Sequence, residues 1–113
     1  NKGSGIFEIN DLPPSLQLGP INDFLALGKE NDRSIFIVGN DFGGPPFEGN
    51  FDAFQGGIMK RNADGKQIVF SAQDTGFHVF GDAREINSVR MQNGKTLILV
   101  TQNQKQLLVF EKQ

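Results

Sequence analysis

The sequence predicts an all-β fold of two four-stranded antiparallel meander units, and three observations carry that prediction. Short apolar, β-branched stretches recur along the chain, each closed by a Gly, Asn or Asp turn. No window of about a dozen residues carries an amphipathic helical stripe. The pattern of the first half returns in the second at an offset of roughly 63 to 65 residues. Ile21-Asn22 answers to Ile86-Asn87, Ile35 to Asn40 answers to Ile98 to Asn103, and Phe7 answers to Phe70.

Taken in order, Gly3-Ser4-Gly5 opens a short strand over Ile6–Ile9, in which Glu8 interrupts the apolar run. Asn10–Pro20 holds three prolines and reads as an ordered loop. Ile21–Leu27 is the next strand, closed by Gly28 and a polar turn to Arg33. Ser34–Gly39 is almost continuously apolar, the signature of a strand covered on both faces. A long connection, Asn40–Phe54, precedes a strand over Gly56–Arg61 and the turn Asn62-Ala63-Asp64-Gly65, with Gly where φ must be positive. Gln67–Phe70 is a strand and Ser71–Arg84 a loop, its core being Gly76-Phe77-His78-Val79-Phe80-Gly81-Asp82-Ala83-Arg84. Glu85–Met91, the Asn93-Gly94 turn, Thr96–Thr101 and Leu107–Phe110 complete the chain.

With hairpin connections, this order runs D-A-B-C, D-A-B-C, where A is the innermost strand of each unit. The repeat units cover about 3–65 and 66–113 of a single all-β fragment, 1–113. That phase fits blades cut from a β-propeller, the alternative being a single β-sandwich. It also leaves unpaired edges, which predicts head-to-tail self-association between Ile6–Ile9 of one copy and Leu107–Phe110 of another.

Composition narrows the function classes. Eleven phenylalanines with no Tyr or Trp supply burial without a polar handle, which argues against sugar-stacking platforms. The net charge of −2, with neither sign clustered, offers no basic stripe for nucleic acid or an anionic membrane. No apolar run is long enough to span a bilayer. The absence of cysteine removes disulfides and thiolate metal sites. A start at Asn1-Lys2-Gly3 reads as a piece of a longer protein.

Gly3-Ser4-Gly5-Ile6-Phe7, Leu12-Pro13 with Gln17, Ile35 to Asn40, Asp52-Ala53 and Gly56-Gly57 carry a resemblance to the FG-GAP/VCBS repeat proteins, in particular the C-terminal blades of bacterial members. Gly76-Phe77, Gly81-Asp82-Ala83-Arg84, Leu97 to Asn103 and Leu107 to Phe110 continue the match over nearly the whole chain. The resemblance implies an exported propeller at the cell surface, in the periplasm or outside the cell, acting as a non-enzymatic binding or scaffold module for a protein or glycan partner. The second reading is an accessory domain of an enzyme whose catalytic residues lie elsewhere. The family's Asp-x-Asp-x-Asp-Gly calcium loop is not kept: Gly28–Arg33 and Gln92–Lys95 stand in its place, with a cation among the expected oxygen ligands. No metal, cofactor or catalytic residue is expected.

The candidate ligand-binding residues are Asp41, Asp52, Asp82 and Arg84, all on loops expected at one end of the sheets. Asp82 and Arg84 suit a carboxylate or a hydroxyl of a ligand, or each other. Asp41, Glu48 and Asp52 share a loop and read either as cation ligands or as solvated acids. Phe42, Phe47, Phe51 and Phe54 read as packing that loop onto itself, or as an exposed patch for a partner. His78 is the only histidine, and no serine stands in a nucleophile-elbow context beside it. Gly43-Gly44-Pro45-Pro46 lacks the Lys-Ser/Thr pair of a phosphate loop.

Overall fold

A computed structural model describes residues 3–43 and 53–112. Seven strands form two antiparallel meanders. The first sheet has strands β1 (Ile21–Leu27), β2 (Ser34–Gly39), β3 (Gly57–Arg61) and β4 (Gln67–Ser71), side by side in chain order. The second has β5 (Ala83–Arg90), β6 (Thr96–Gln102) and β7 (Leu108–Lys112), again in chain order. The all-β fold is therefore as expected, with one strand fewer in the second sheet among the described residues.

Hairpin chemistry sets the registers. At the β3–β4 turn Gly65 takes φ 77° and donates to the Asn62 carbonyl at 3.0 Å, while the Asn62 amide reaches Lys66 O. The β5–β6 turn repeats this with Gly94 at φ 83° donating to Met91 O. Each sheet also begins with the same irregularity. Ile21 pairs with Gly39 but Asp23 with Val38, leaving Asn22 as a bulge residue; Ala83 pairs with Gln102 and Glu85 with Thr101, leaving Arg84. Above each bulge the residue ending the second strand's run donates to the chain before the first: Asn40 N to Pro20 O at 3.1 Å, and Asn103 N to Asp82 O at 2.8 Å. A Cβ on Gly39 would collide with that Pro20 carbonyl, which fixes glycine at this approach of β2 to β1.

These bulges correct the repeat alignment. Ile35 to Asn40 does answer to Ile98 to Asn103, because Ala26↔Ile35 and Ser88↔Ile98 are like pairs. In the first strands, however, Ile21 answers to Ala83 and Phe24 to Ile86, so the predicted match of Ile21 to Ile86 is out of register. The segment Ile6–Ile9 is not a strand; its apolar side chains are exposed instead, Ile9 almost wholly. Among the described residues it pairs with no strand of either sheet, and a segment without a ladder partner is not a strand. The loop after β4 contains one helical turn, α1 (Ala72–Thr75), that the periodicity could not show. Ser71 and Asp74 form a reciprocal capping box, and these hydrogen bonds from Ser71 hold the exposed Asp74 carboxyl below its usual range.

Two cores lie on the two faces of the first sheet. One contains Phe36 and Val38, with Leu25, Leu27 and Ile58 packed against it; these meet Ala83, Ile86, Ile98 and Val100 of the second sheet, with Phe77 and Val79 between. The other contains Ile37 and Met59 of the opposite face, covered by Leu16 and Phe54 from loops. The sense of the stacking follows from the register. Phe36 and Val38, which face the second sheet, answer to Leu99 and Thr101, which face away from the first. Ile35 and Ile37, which face away, answer to Ile98 and Val100, which face in. The sheets thus stack front to back, as successive repeats do, whereas a two-fold sandwich would stack front to front.

Candidate functional site

The β2–β3, β4–β5 and β6–β7 connections meet at one end of the sheets. In a meander, alternate connections must emerge at the same end. Hydrogen bonds tie them: Asn40 Nδ2 to Gly81 O at 3.4 Å, Asn103 N to Asp82 O, and Val79 N to Gln55 O at 2.9 Å. The loop of residues 10–20 joins through Leu16, buried against Ile37, and through Pro20 O. Residues 16–20 of that loop therefore share this end with the other described connections, while Asn10 to Pro13 line a pocket with Arg61, Gly65, Lys66 and Gln67 at the β3–β4 turn, at the opposite end.

Three of the four predicted site residues can be placed. Arg84, the bulge residue of β5, stands between two carboxylates: its Nη2 is 2.6 Å from Asp82 Oδ2 and 3.6 Å from Asp41 Oδ1. Asp82 is only 1% exposed, and its Oδ2 also accepts from Asn103 Nδ2 at 3.4 Å. Its Oδ1 is buried without a hydrogen-bond partner. Asp41 is half exposed and accepts from Gly43 N at 2.8 Å, an Asx-type turn that holds the start of its loop. The trio carries one net negative charge, and the guanidinium keeps a solvent-facing side. This can orient a carbonyl, carboxylate or hydroxyl through Arg84 and Asp41, while buried Asp82 fixes the guanidinium. Asp52 and Glu48 lie outside the described residues, as do Phe47 and Phe51.

The remaining candidates divide. Phe54 is core, 4% exposed, and its amide donates to Asn40 Oδ1 at 3.0 Å. Phe42 is half buried with Lys105 Nζ 5.6 Å from its ring centroid, which brings the β6–β7 loop to the same end. His78 stacks on Phe80 at 5.3 Å, and its Nδ1 is buried without a partner. No group of three or more His, Cys, Asp or Glu side chains suited to a metal occurs among the described residues. No described helix is long and apolar enough to cross a membrane.

Sequence reasoning missed the clamps between the sheets. Asn22 Nδ2 donates to both Asn40 O (2.8 Å) and Ala83 O (2.6 Å), and Asp23 Oδ2 accepts from Ile86 N at 2.9 Å. The available signal was a polar pair, Asn22-Asp23, inside an otherwise apolar strand.

Two of the β-hairpin turns at the opposite end bear on calcium. Residues 30–32 form a 3-10 turn with Asp32 N bonded to Lys29 O, and Asn93 Oδ1 is engaged by Lys95 N at 3.1 Å. Both turns close through their own amides, so millimolar calcium is expected to leave the melting temperature unchanged. A rise of several degrees that a chelator reverses would contradict this.

Comparison with family models, with characterised proteins and with solved structures returns no match.

Proposed function

We propose that the chain is a non-enzymatic binding and scaffold module: two blades of an exported β-propeller of the FG-GAP/VCBS type, presenting its loop end to a protein or glycan partner. The observation that carries the architecture is the front-to-back stacking of the two meanders, an arrangement that can be repeated around an axis. The convergence of Asp41, Asp82, Arg84, Phe42 and Lys105 at one end supports that end as the binding surface. A rigid sheet pair carrying long loops is a common scaffold for recognition. The charged groups there neutralise one another, an arrangement suited to orienting a ligand and unlike a poised acid–base pair.

Screening the chain on a glycan array and against a displayed peptide library tests this reading. A ligand from either screen is expected to lose at least tenfold in affinity to the double variant Asp41→Lys with Lys105→Glu. Both side chains are accessible, and the double variant keeps Asp82 and Arg84 while replacing the Asp41 carboxylate 3.6 Å from Arg84 with a cation. Failure of both screens, or a ligand that binds the double variant unchanged, overturns it.

A further inference from the structure

Among the described residues the second sheet differs from the first in two ways. Its outward face carries the pairs Val89↔Leu97 and Leu99↔Val109, with Val89 44% and Val109 55% exposed. The matching face of the first sheet, with Phe36 and Ile58, is packed against a neighbouring sheet. Among the described residues β7 is also an edge of its sheet, where β3 of the first sheet has β4 alongside. Beside that edge the two sheets part in a cleft of about 640 Å³, walled by Phe36, Ile58, Phe70, Phe77, Ile98 and Phe110.

The chain itself carries a segment that fits this gap. At an offset of 63 residues, Ile6-Phe7-Glu8-Ile9 answers to Val69-Phe70-Ser71-Ala72. In the first sheet Val69 packs in the second core and Ala72 is buried. Their counterparts Ile6 and Ile9 are 61% and 96% exposed, and Phe7 is 80% exposed. The back of the first sheet also presents Phe24, 65% exposed, at the position where Ile86 of the second sheet is buried against its neighbour.

We propose that copies of this chain associate head to tail by repeating the stacking already present within each copy. Residues 5–9 of one copy add antiparallel to β7 of the next as its fourth strand. The register copies that of β3 and β4, where Met59 faces Val69 and Ile58 faces Phe70. Ile6 therefore falls opposite Phe110 and Phe7 opposite Val109. The back of the incoming first sheet, with Phe24, settles on Val89, Leu97 and Leu99. The occupant is a second copy because the segment that completes the sheet and the face that covers it both belong to this chain. The two contact surfaces differ, so the contact closes as a ring or runs on as an open chain. The proposal rests on the repeat stacking, not on the loop end, so ligand screens and association measurements fail independently.

Light scattering coupled to gel filtration tests it. The chain is expected to grow beyond monomer mass between micromolar and millimolar concentration. Phe7→Lys and Val109→Lys each change an exposed side chain and are each expected to be monomeric, with melting temperatures like that of the parent chain. An equimolar mixture of the two is expected to stop at a heterodimer. The intact N-terminal segment of the Val109→Lys chain meets the intact β7 of the Phe7→Lys chain, and the remaining ends are blocked. A parent chain monomeric throughout, oligomers indifferent to both substitutions, or a mixture that stays monomeric each overturns the proposal.

Discussion

Phe77→Ala is expected to lower the stability of the protein by about 3–5 kcal/mol, the range for truncating a buried aromatic side chain. Phe77 is 3% exposed and stands between the sheets. Its ring meets Phe36 of the first sheet edge-on at 5.3 Å and Phe110 of the second at 4.7 Å. Truncation therefore removes packing from both sides of one interface and leaves a void that two separate sheets must close together. Aromatic contacts of this geometry add about 0.5–1.5 kcal/mol each beyond area burial. Phe80, three residues along the same loop, is the control. It is 55% exposed and touches His78, so Phe80→Ala should cost about 1 kcal/mol or less. Urea unfolding reads both, with the midpoint falling for Phe77→Ala. A loss below about 1 kcal/mol for Phe77→Ala would mean that the sheets are not held through this ring.

That loop shows what the sequence makes legible and what it hides. The stretch Gly76–Arg84 stands out by its turn residues and apolar anchors, and Phe77, Val79 and Ala83 are indeed buried. Strand positions are legible because alternation and Asn-Gly or Asp-Gly turns are local signals; Ile21–Leu27 and Ser34–Gly39 coincide with their predicted bounds. The bulges at Asn22 and Arg84 are not local signals. The predicted alignment of Ile21 with Ile86 slipped because both are Ile followed by Asn, a local likeness, whereas the strand registers match Ile21 with Ala83. The one-turn helix Ala72–Thr75 is too short for any periodicity, and only its capping pair Ser71 and Asp74 marks it. Ile6–Ile9 has strand-like residues, but a strand needs an edge to pair with, and a pattern of residues cannot supply one.

The site was legible in part for the same reason. Asp82 and Arg84 are two residues apart and their pairing is local. The approach of Asp41 across 43 positions of sequence depends on the stacking of the sheets, as does the meeting of Phe42 with Lys105. Asp82's burial was equally invisible, since a loop aspartate is ordinarily exposed.

The repeat places an asparagine at the end of the second strand in both units, and the two are expected to differ sharply on substitution. Asn40 is fully buried, takes φ 77°, accepts from Phe54 N and donates to Gly81 O. Asn40→Ala forces a left-handed backbone on a residue that disfavours it, costing about 1–2 kcal/mol. It also strands the buried Phe54 amide, at about 1–3 kcal/mol. The sum is about 2–4 kcal/mol, since the two effects need not add fully. Asn40→Gly removes the backbone cost but not the stranded amide, so it should fall between the parent chain and Asn40→Ala. Asn103 holds the same place in the second sheet, but its side chain is exposed and makes one long contact of 3.4 Å to Asp82. Its backbone bond to Asp82 O survives substitution, and the positive φ falls on Gln104 instead. Asn103→Ala should therefore cost about 1 kcal/mol or less. The asymmetry follows from stacking: Asn40 grips the Gly81 carbonyl of the loop leading into the second sheet, and among the described residues no third sheet follows Asn103. Equal losses from Asn40→Ala and Asn103→Ala in thermal or urea unfolding would show that the clamp does not depend on the neighbouring sheet.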